Sequence, residues 1–476
     1  MEHRSRTYTP RLFLFVAWVF LMVVAAGCAP AASKQETQEP VQPPAAGEPA
    51  LLESERAAAG DEAYNAAPAE APLVGGAAGA EGAPSDLAAV PPVAAEERAG
   101  EAIPIPLPTS AAPQMPDQAF QANLTAGEVN LHEDFQAYLQ YRADYLHYVG
   151  AHTVHDLDVS ERHVITVHTR GGQPVLGAQV TVYNGQSLVT TLRTTANGRA
   201  YFFPRAYPSA AAAQSFTIEV RKGQDRAEAQ ITRQSADMAW DITLNTARTR
   251  SPVNLDVLFL IDATGSMGDE IDELKNNILS ISAQIQALPS RPDVRFGMVT
   301  YRDLGDVYVT QTYDFTPDVQ TFQYNLQQVY ASGGGDTPES LNEALHRAVN
   351  GVSWRVEDTV SLIFLVADAP PHLDYYQDYD YAQEMQVAAS LGVKIFPISS
   401  ELGEAYYQDQ AAYIFKQLAV WTGGNFIFLT YSSQPQSSGE PGRTDVGVPE
   451  GSYTVQDLDA LVVRLIQEEL AALGAQ

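Results

Sequence analysis

Apolar and polar positions follow different periods in different stretches of the chain, and each period predicts a different element. Between Glu128 and His155, Phe135, Tyr138, Leu139, Tyr145 and Leu146 recur at helical spacing and predict a short amphipathic packing helix. From His163 to Arg248 the period drops to two. Segments such as HVITVHT, GAQVTVYN, LVTTLRTT, RAYFFPRAY, FTIEVRKG and AEAQITRQ alternate between Gly-Gly, Asn-Gly and Lys-Gly turns, which predicts a small antiparallel β-sandwich. From Asn254 onward short apolar runs alternate with helical patterns. Strands are expected at Val294–Thr300, Val307–Phe315, Ser361–Ala367, Val393–Ser399 and Asn425–Thr430. Helices are expected at Met267–Leu288, Val319–Tyr330, Pro338–Val349, Ala382–Leu391, Tyr406–Trp421 and Val455–Leu473, the last with Leu458, Leu461, Val462 and Leu465 on one face. That alternation predicts an α/β fold with a doubly wound, mostly parallel sheet, with the Val307 strand forming a hairpin with its neighbour.

One stretch organises this last region. Leu255–Ile261 is an apolar run with a single charge, too short for a helix and suited to a parallel strand buried on both faces. It ends in Asp262, Thr264 and Ser266, alternating with Ala263 and Gly265 before a helix begins. A turn there aims three oxygen-bearing side chains at one point, at the carboxyl edge of the sheet, where open α/β folds place their ligands.

The opening of the chain has no such period. Arg4, Arg6 and Arg11 precede an apolar run from Leu12 to Val24, and Ala25-Ala26-Gly27-Cys28 follows, the layout of an export signal and its small-residue cleavage site. The run is short for a membrane span. Ala25 to Cys28 resembles the lipobox of bacterial lipoproteins, with Ala25 where that family usually has Leu; this implies lipidation of Cys28 and an exported protein anchored to the cell membrane, facing outside. From Ala29 to Gly127 the sequence is rich in Ala, Pro, Glu and Gly with hardly any aromatics, the composition of a disordered tether. The expected organisation is therefore a signal peptide (1–27), lipidated Cys28 and tether (28–127), helical lead-in (128–160), β-sandwich (161–250) and α/β domain (251–476).

Charge and cysteine content narrow the chemistry. With 58 acidic against 28 basic residues and a formal charge of −30, the chain lacks the clustered Lys and Arg that nucleic acid requires, and nucleic acid is excluded as a partner. Cation binding is compatible with that balance. The single cysteine leaves no internal disulfide.

Three loops at the same sheet edge carry the unusual residues: Asp262-Ala263-Thr264-Gly265-Ser266, Gly333-Gly334-Gly335-Asp336-Thr337-Pro338-Glu339, and Asp368-Ala369-Pro370-Pro371-His372. A hard cation such as Mg²⁺ takes oxygen ligands and retains some waters, which suits hydroxyls held directly with carboxylates set further back. The loops resemble the metal-ion-dependent adhesion site of von Willebrand factor type A domains. Its DxSxS motif is matched by Asp262, Thr264 and Ser266, with Thr for the first Ser; the second-loop ligand corresponds to Asp336 or Thr337 and the third to Asp368. The wording Tyr301-Arg302-Asp303, GGGDTPE and DAPPH is most similar to the hemicentin-like branch. The resemblance covers roughly residues 252–475 and implies bound Mg²⁺, Mn²⁺ or Ca²⁺, a protein ligand offering a carboxylate, and adhesion instead of catalysis; a scaffold with a structural metal is the alternative. Gly172-Gln173-Pro174-Val175, Gly177-Ala178-Gln179-Val180 and Thr195-Ala196-Asn197-Gly198-Arg199-Ala200 resemble carboxypeptidase regulatory-like domains; with no catalytic grouping in it, this module is expected to be a stalk or spacer, with carbohydrate binding as the alternative. An enzyme reading also exists: Thr264-Gly265-Ser266-Met267-Gly268 sits on a strand-to-helix turn like a hydrolase nucleophile elbow, with Asp368 and His372 as partners. The first glycine of that elbow is missing, and an acid and base four residues apart do not match its chain order. No catalytic residue is therefore assigned. His372 is expected to cap or pack beneath the site and not to be a ligand, since a hard-ion oxygen site has little use for imidazole, and Asp374 to Tyr381 to form a rim that either contacts a partner or covers the following helix.

Overall fold

The computed structural model describes residues 125–247, 252–376, 379–400, 405–430 and 454–474; the leader, Cys28 and the tether up to residue 124 lie outside the described residues. Its elements begin with β1 (Thr125–Val129) and α1 (Phe135–Tyr145), followed by seven strands: β2 (Arg162–Thr169), β3 (Gln179–Asn184), β4 (Ser187–Arg193), β5 (Arg199–Phe202), β6 (Ser215–Lys222), β7 (Asp225–Thr232) and β8 (Asp237–Leu244). The α/β region comprises β9 (Asn254–Asp262), α2 (Gly268–Gln286), β10 (Asp293–Tyr301), β11 (Thr310–Thr316), α3 (Val319–Gln327), α4 (Leu341–Asn350), β12 (Thr359–Ala367), α5 (Tyr381–Leu391), β13 (Val393–Ser399), α6 (Ala405–Thr422), β14 (Phe426–Thr430), β15 (Thr454–Asp457) and α7 (Leu458–Ala472).

β9 lies inside an eight-stranded sheet of order β11-β10-β9-β12-β13-β14-β1-β15, parallel to both of its neighbours. Successive side chains of a strand point to opposite faces, and both faces of β9 are apolar. Leu255, Val257, Phe259 and Ile261 join one core with Ile271, Leu274, Ile278 and Ile281 of α2 and with Leu461 and Leu465 of α7. Leu258 and Leu260 join the opposite core with α4, α5 and α6. The one charge in the run is buried as well, because Asp256 accepts from Arg295 Nε at 3.0 Å and Nη2 at 2.7 Å, and from Arg355 Nε at 2.9 Å. A buried carboxylate is tolerated only when paired and hydrogen-bonded in this way. The expected doubly wound sheet is thus present, and the expected hairpin is the antiparallel β10–β11 pair.

Two differences from the expected elements lie at the far edge. β1, whose residues cross the boundary placed between the tether and the lead-in at 127, is inserted antiparallel between β14 and β15. The first residues of the expected Val455–Leu473 helix belong to β15, and helix begins only at Leu458. Helical periodicity could not report this, because the strand partner of Thr454–Asp457 comes from more than 300 residues earlier in the chain. The lead-in then runs across α6. Tyr145 stacks on Tyr413 with ring centroids 4.2 Å apart, Gln410 Nε2 donates to Thr153 O at 2.6 Å, and His132 Nε2 meets Val420 O at 2.9 Å.

The seven strands between form two sheets, β5-β2-β8 and β4-β3-β6-β7, which share one apolar core including Val167, Phe202, Val182, Ile218 and Ile242. Their expected antiparallel pairing holds except for β2 and β8, which are parallel. A period of two carries no information on strand direction; here the chain leaves the four-stranded sheet after β7 and returns beside β2. The module rests on the α/β region through Phe203 and Tyr207, whose rings lie 5.0 and 6.1 Å from that of Trp421, and through a Lys222–Asp358 ion pair of 2.9 Å.

Candidate metal centre

The carboxyl ends of β9, β10 and β12 deliver Asp262, Asp303 and Asp368 to one edge of the sheet. The loops between them are laced by backbone hydrogen bonds. Gly265 N donates to Gly333 O at 3.0 Å, Ser332 N to Ala263 O at 3.0 Å, Glu339 N to Pro370 O at 3.0 Å, and His372 N to Glu339 O at 3.0 Å. Arg302 fastens the same loops from beneath. Its buried guanidinium donates to Ala263 O at 3.1 Å and Tyr330 O at 2.9 Å and lies over the rings of Tyr308 and Tyr330. Gly333 and Gly334 have φ of 85° and 70°, conformations that favour glycine, and a Cβ on Gly333 would overlap the Asp306 carboxylate.

Asp262 and Thr264 are both buried, and Asp262 Oδ1 accepts from Thr264 N at 2.9 Å and from Thr264 Oγ1 at 2.8 Å. Ser266 is exposed; its hydroxyl lies 3.5 Å from Thr264 Oγ1 and neighbours the buried Asp368 carboxylate. The structure therefore brings Asp262, Thr264, Ser266 and Asp368 into one neighbourhood, closed below and open at Ser266. Thr337 is half-buried in the second loop. Asp336 is exposed and grouped with Asp303 and His372, their ligating atoms within 4.8 Å of one another.

Glu339, which closes the second loop, is the residue that sequence reasoning passed over. It is 4 % exposed, it borders Gly334 and Thr264, and its Oε2 has no hydrogen-bond partner. Asp262 and the Tyr301 hydroxyl are likewise buried and face each other, with no cation paired to either among the described residues. Among the described residues no Lys or Arg lies within the 4.0 Å ion-pair distance of Asp262, Glu339 or Asp368. Burial, then the charge of Asp368, pushes the Asp262 carboxyl up to about 7. Burial, then the charges of Asp262, Asp303 and Asp368, pushes Glu339 up to about 10. Burial also raises Asp368, with the Ser266 hydroxyl acting against it. Buried acids without a counter-charge are costly, and carboxylate oxygens beside two hydroxyls are the donor set of a hard divalent ion. The residues fit such an ion.

The tyrosine-rich rim divides between the two expected roles. Tyr375 stacks on His372 at 3.6 Å and donates to Asp303 Oδ2 at 2.6 Å, Tyr379 stacks on His346 at 3.7 Å, and Tyr381 is fully buried, whereas Tyr376 is fully exposed. Leu304, Val307 and Tyr330 are also exposed around the same loops.

Comparison with known proteins agrees with this geometry. Residues 256–431 match the family model of the von Willebrand factor A domain. The chain is 29% identical over 134 residues to the alpha-protein kinase vwkA of Dictyostelium discoideum, covering 28% of this chain and 21% of the kinase. It is 27% identical over 184 residues to hemicentin-2 of Mus musculus, covering 38% of this chain and 3% of hemicentin-2. It is 37% identical over 115 residues to von Willebrand factor A domain-containing protein 7 of Rattus norvegicus, covering 24% of this chain and 12% of that protein. The matches thus span at most about a fifth of each of these relatives. Among solved structures, the pilus adhesin SpaC of Lactobacillus rhamnosus GG aligns with a TM-score of 0.30 and 10% identity over 44% of this chain and 30% of that one. By sequence match and by its mostly parallel sheet with loops converging at one edge, the region 256–431 is a von Willebrand factor A domain.

Proposed function

We propose that this chain is an exported, lipid-anchored binding protein whose A domain engages a protein partner through a divalent cation held at Asp262, Thr264, Ser266 and Asp368. The observation that carries the reading is the buried acid group Asp262, Glu339 and Asp368, which no Lys or Arg among the described residues pairs with and which opens to solvent at Ser266. Bound there, Mg²⁺ or Mn²⁺ would supply a Lewis-acidic position that accepts a carboxylate oxygen. Thr264 and Ser266 hold that position with neutral hydroxyls and so leave its charge largely unquenched. Asp262 and Asp368 balance it from behind, and Arg302 keeps the loops in register. The exposed Leu304, Val307, Tyr330 and Tyr376 offer apolar contact around the charged centre, the anatomy of a binding surface. The two-sheet module would act as a spacer, and Cys28 as the anchor.

The test is capture of surface proteins by the full chain in Mg²⁺, in EDTA, and with Ser266→Ala or Asp262→Ala. Capture that depends on Mg²⁺ and is lost in both variants, each still folded, is expected. Capture indifferent to EDTA and to both substitutions would overturn the reading; chelation that only lowers the melting temperature would favour a scaffold with a structural metal. In the producing cells, Cys28→Ser should leave the membrane fraction, and its retention there would remove the anchor from the account.

A further inference from the structure

The geometry points to a second metal site beside the first, formed by Asp303, Asp336 and His372 and suited to a borderline divalent ion such as Zn²⁺ or Co²⁺. The three residues come from three separate loops, yet their ligating atoms all lie within 4.8 Å of one another. Asp303 and His372 are buried, whereas Asp336 is exposed, so the group is fixed on two sides and open on the third. The imidazole is already set as a ligand. His372 Nδ1 is 2.8 Å from Asp374 Oδ1, and Nε2 faces Asp303 Oδ2 at 3.8 Å. A carboxylate on the far nitrogen of a metal-binding histidine fixes its tautomer and raises its basicity. Tyr375 stacks on the ring at 3.6 Å, and Asp303 is held by the hydroxyls of Tyr375 at 2.6 Å and Ser340 at 2.9 Å.

A separate observation points to cationic charge in the same place. The buried Glu339, with its orphaned Oε2, lies between the two groups: its backbone carbonyl accepts from His372 N at 3.0 Å and its side chain borders Gly334 beside Thr264. The donor sets also differ in kind. Hydroxyls and carboxylates suit Mg²⁺, whereas an imidazole with two carboxylates suits Zn²⁺ or Co²⁺. The exposed side at Asp336 leaves a coordination position for water or for a group from a partner.

The experiment is Co²⁺ and Zn²⁺ binding to the chelator-stripped full chain by equilibrium dialysis, with Co²⁺ absorption reporting imidazole ligation. His372→Ala, and Asp336→Asn at an exposed position, should each lose one bound ion and weaken that site at least tenfold, while in His372→Ala Mg²⁺ binding stays within about threefold. Ser266→Ala should do the reverse. Unchanged Co²⁺ stoichiometry and spectrum in both His372→Ala and Asp336→Asn would overturn the inference. If the wild type bound an ion that was lost in those two variants but not in Ser266→Ala, and bound no Mg²⁺, the second site would stand and the first-centre reading would fall.

Discussion

Asp262 sits where two demands conflict: it is buried at the tip of β9 beside the Asp368 carboxylate, yet no Lys or Arg among the described residues pairs with it. In ion-free protein that conflict is relieved by a proton. The unfolded chain releases the Asp262 proton near the ordinary carboxylate value of about 3.9, whereas the folded chain retains it up to about 7. Between those values the folded state binds more protons, so stability falls as pH rises through the window. Glu339, held up to about 10, extends the fall to higher pH. We predict that in EDTA the melting temperature drops between pH 5 and pH 8, each 1 kcal/mol lost lowering it by about 2–4 °C. Asp262→Asn should flatten part of that slope, and Mg²⁺ should restore stability at pH 8 but hardly at pH 5. A melting temperature in EDTA that rises over this range, or a slope unaltered by Asp262→Asn, would contradict the assignment. The first loop was legible in the sequence because its oxygen-bearing side chains are contiguous: Asp262, Thr264 and Ser266 alternate at the end of an apolar run. Glu339 and the Asp303–Asp336–His372 group were not, because each gains its meaning from loops that meet only in space. His372 in particular was expected to pack beneath the site, and it does so while also facing two carboxylates.

Among the elements, β9, β10, β12 and β13 could be read directly, since strands buried on both faces appear as apolar runs. β1 could not. Its sequence TAGEV has neither alternation nor bulk, and it becomes a strand only because β14 and β15 leave a place between them. The insertion ties the lead-in to the base of α7: Glu128 pairs with Arg464 and accepts from Asn425. Gly127 is the critical residue, because it pairs with Phe428 and a Cβ there would overlap the Phe428 ring. Gly127→Val should therefore displace β1 and lower stability by about 1–3 kcal/mol, the usual cost of overpacking. Hydrogen exchange is expected to show faster exchange in β1 and β15 with β9 and β12 unchanged. Wild-type protection throughout β1 in that variant would mean that the strand is not held as described.

At the scale of the whole molecule, the A domain cannot be separated from what precedes it as cleanly as the periods suggested. The lead-in contributes a strand to its sheet and covers α6, and the two-sheet module stacks Phe203 and Tyr207 on Trp421. The period change near His163 located the module but could not show these contacts, since packing between regions leaves no periodic trace. What the whole arrangement presents is one sheet edge where loops from β9, β10 and β12 converge, held rigid from beneath and open above. The central claim is that a divalent ion is held there by Ser266 and Thr264 with Asp262 and Asp368 behind. The most direct measurement is an anomalous difference map from crystals of the full chain soaked in Mn²⁺. The account predicts a peak within about 2.2 Å of the Ser266 hydroxyl oxygen, the distance of a direct oxygen ligand, and its disappearance in Ser266→Ala crystals of unchanged fold. No peak at that loop in well-ordered wild-type crystals, or a peak that survives Ser266→Ala, would contradict it.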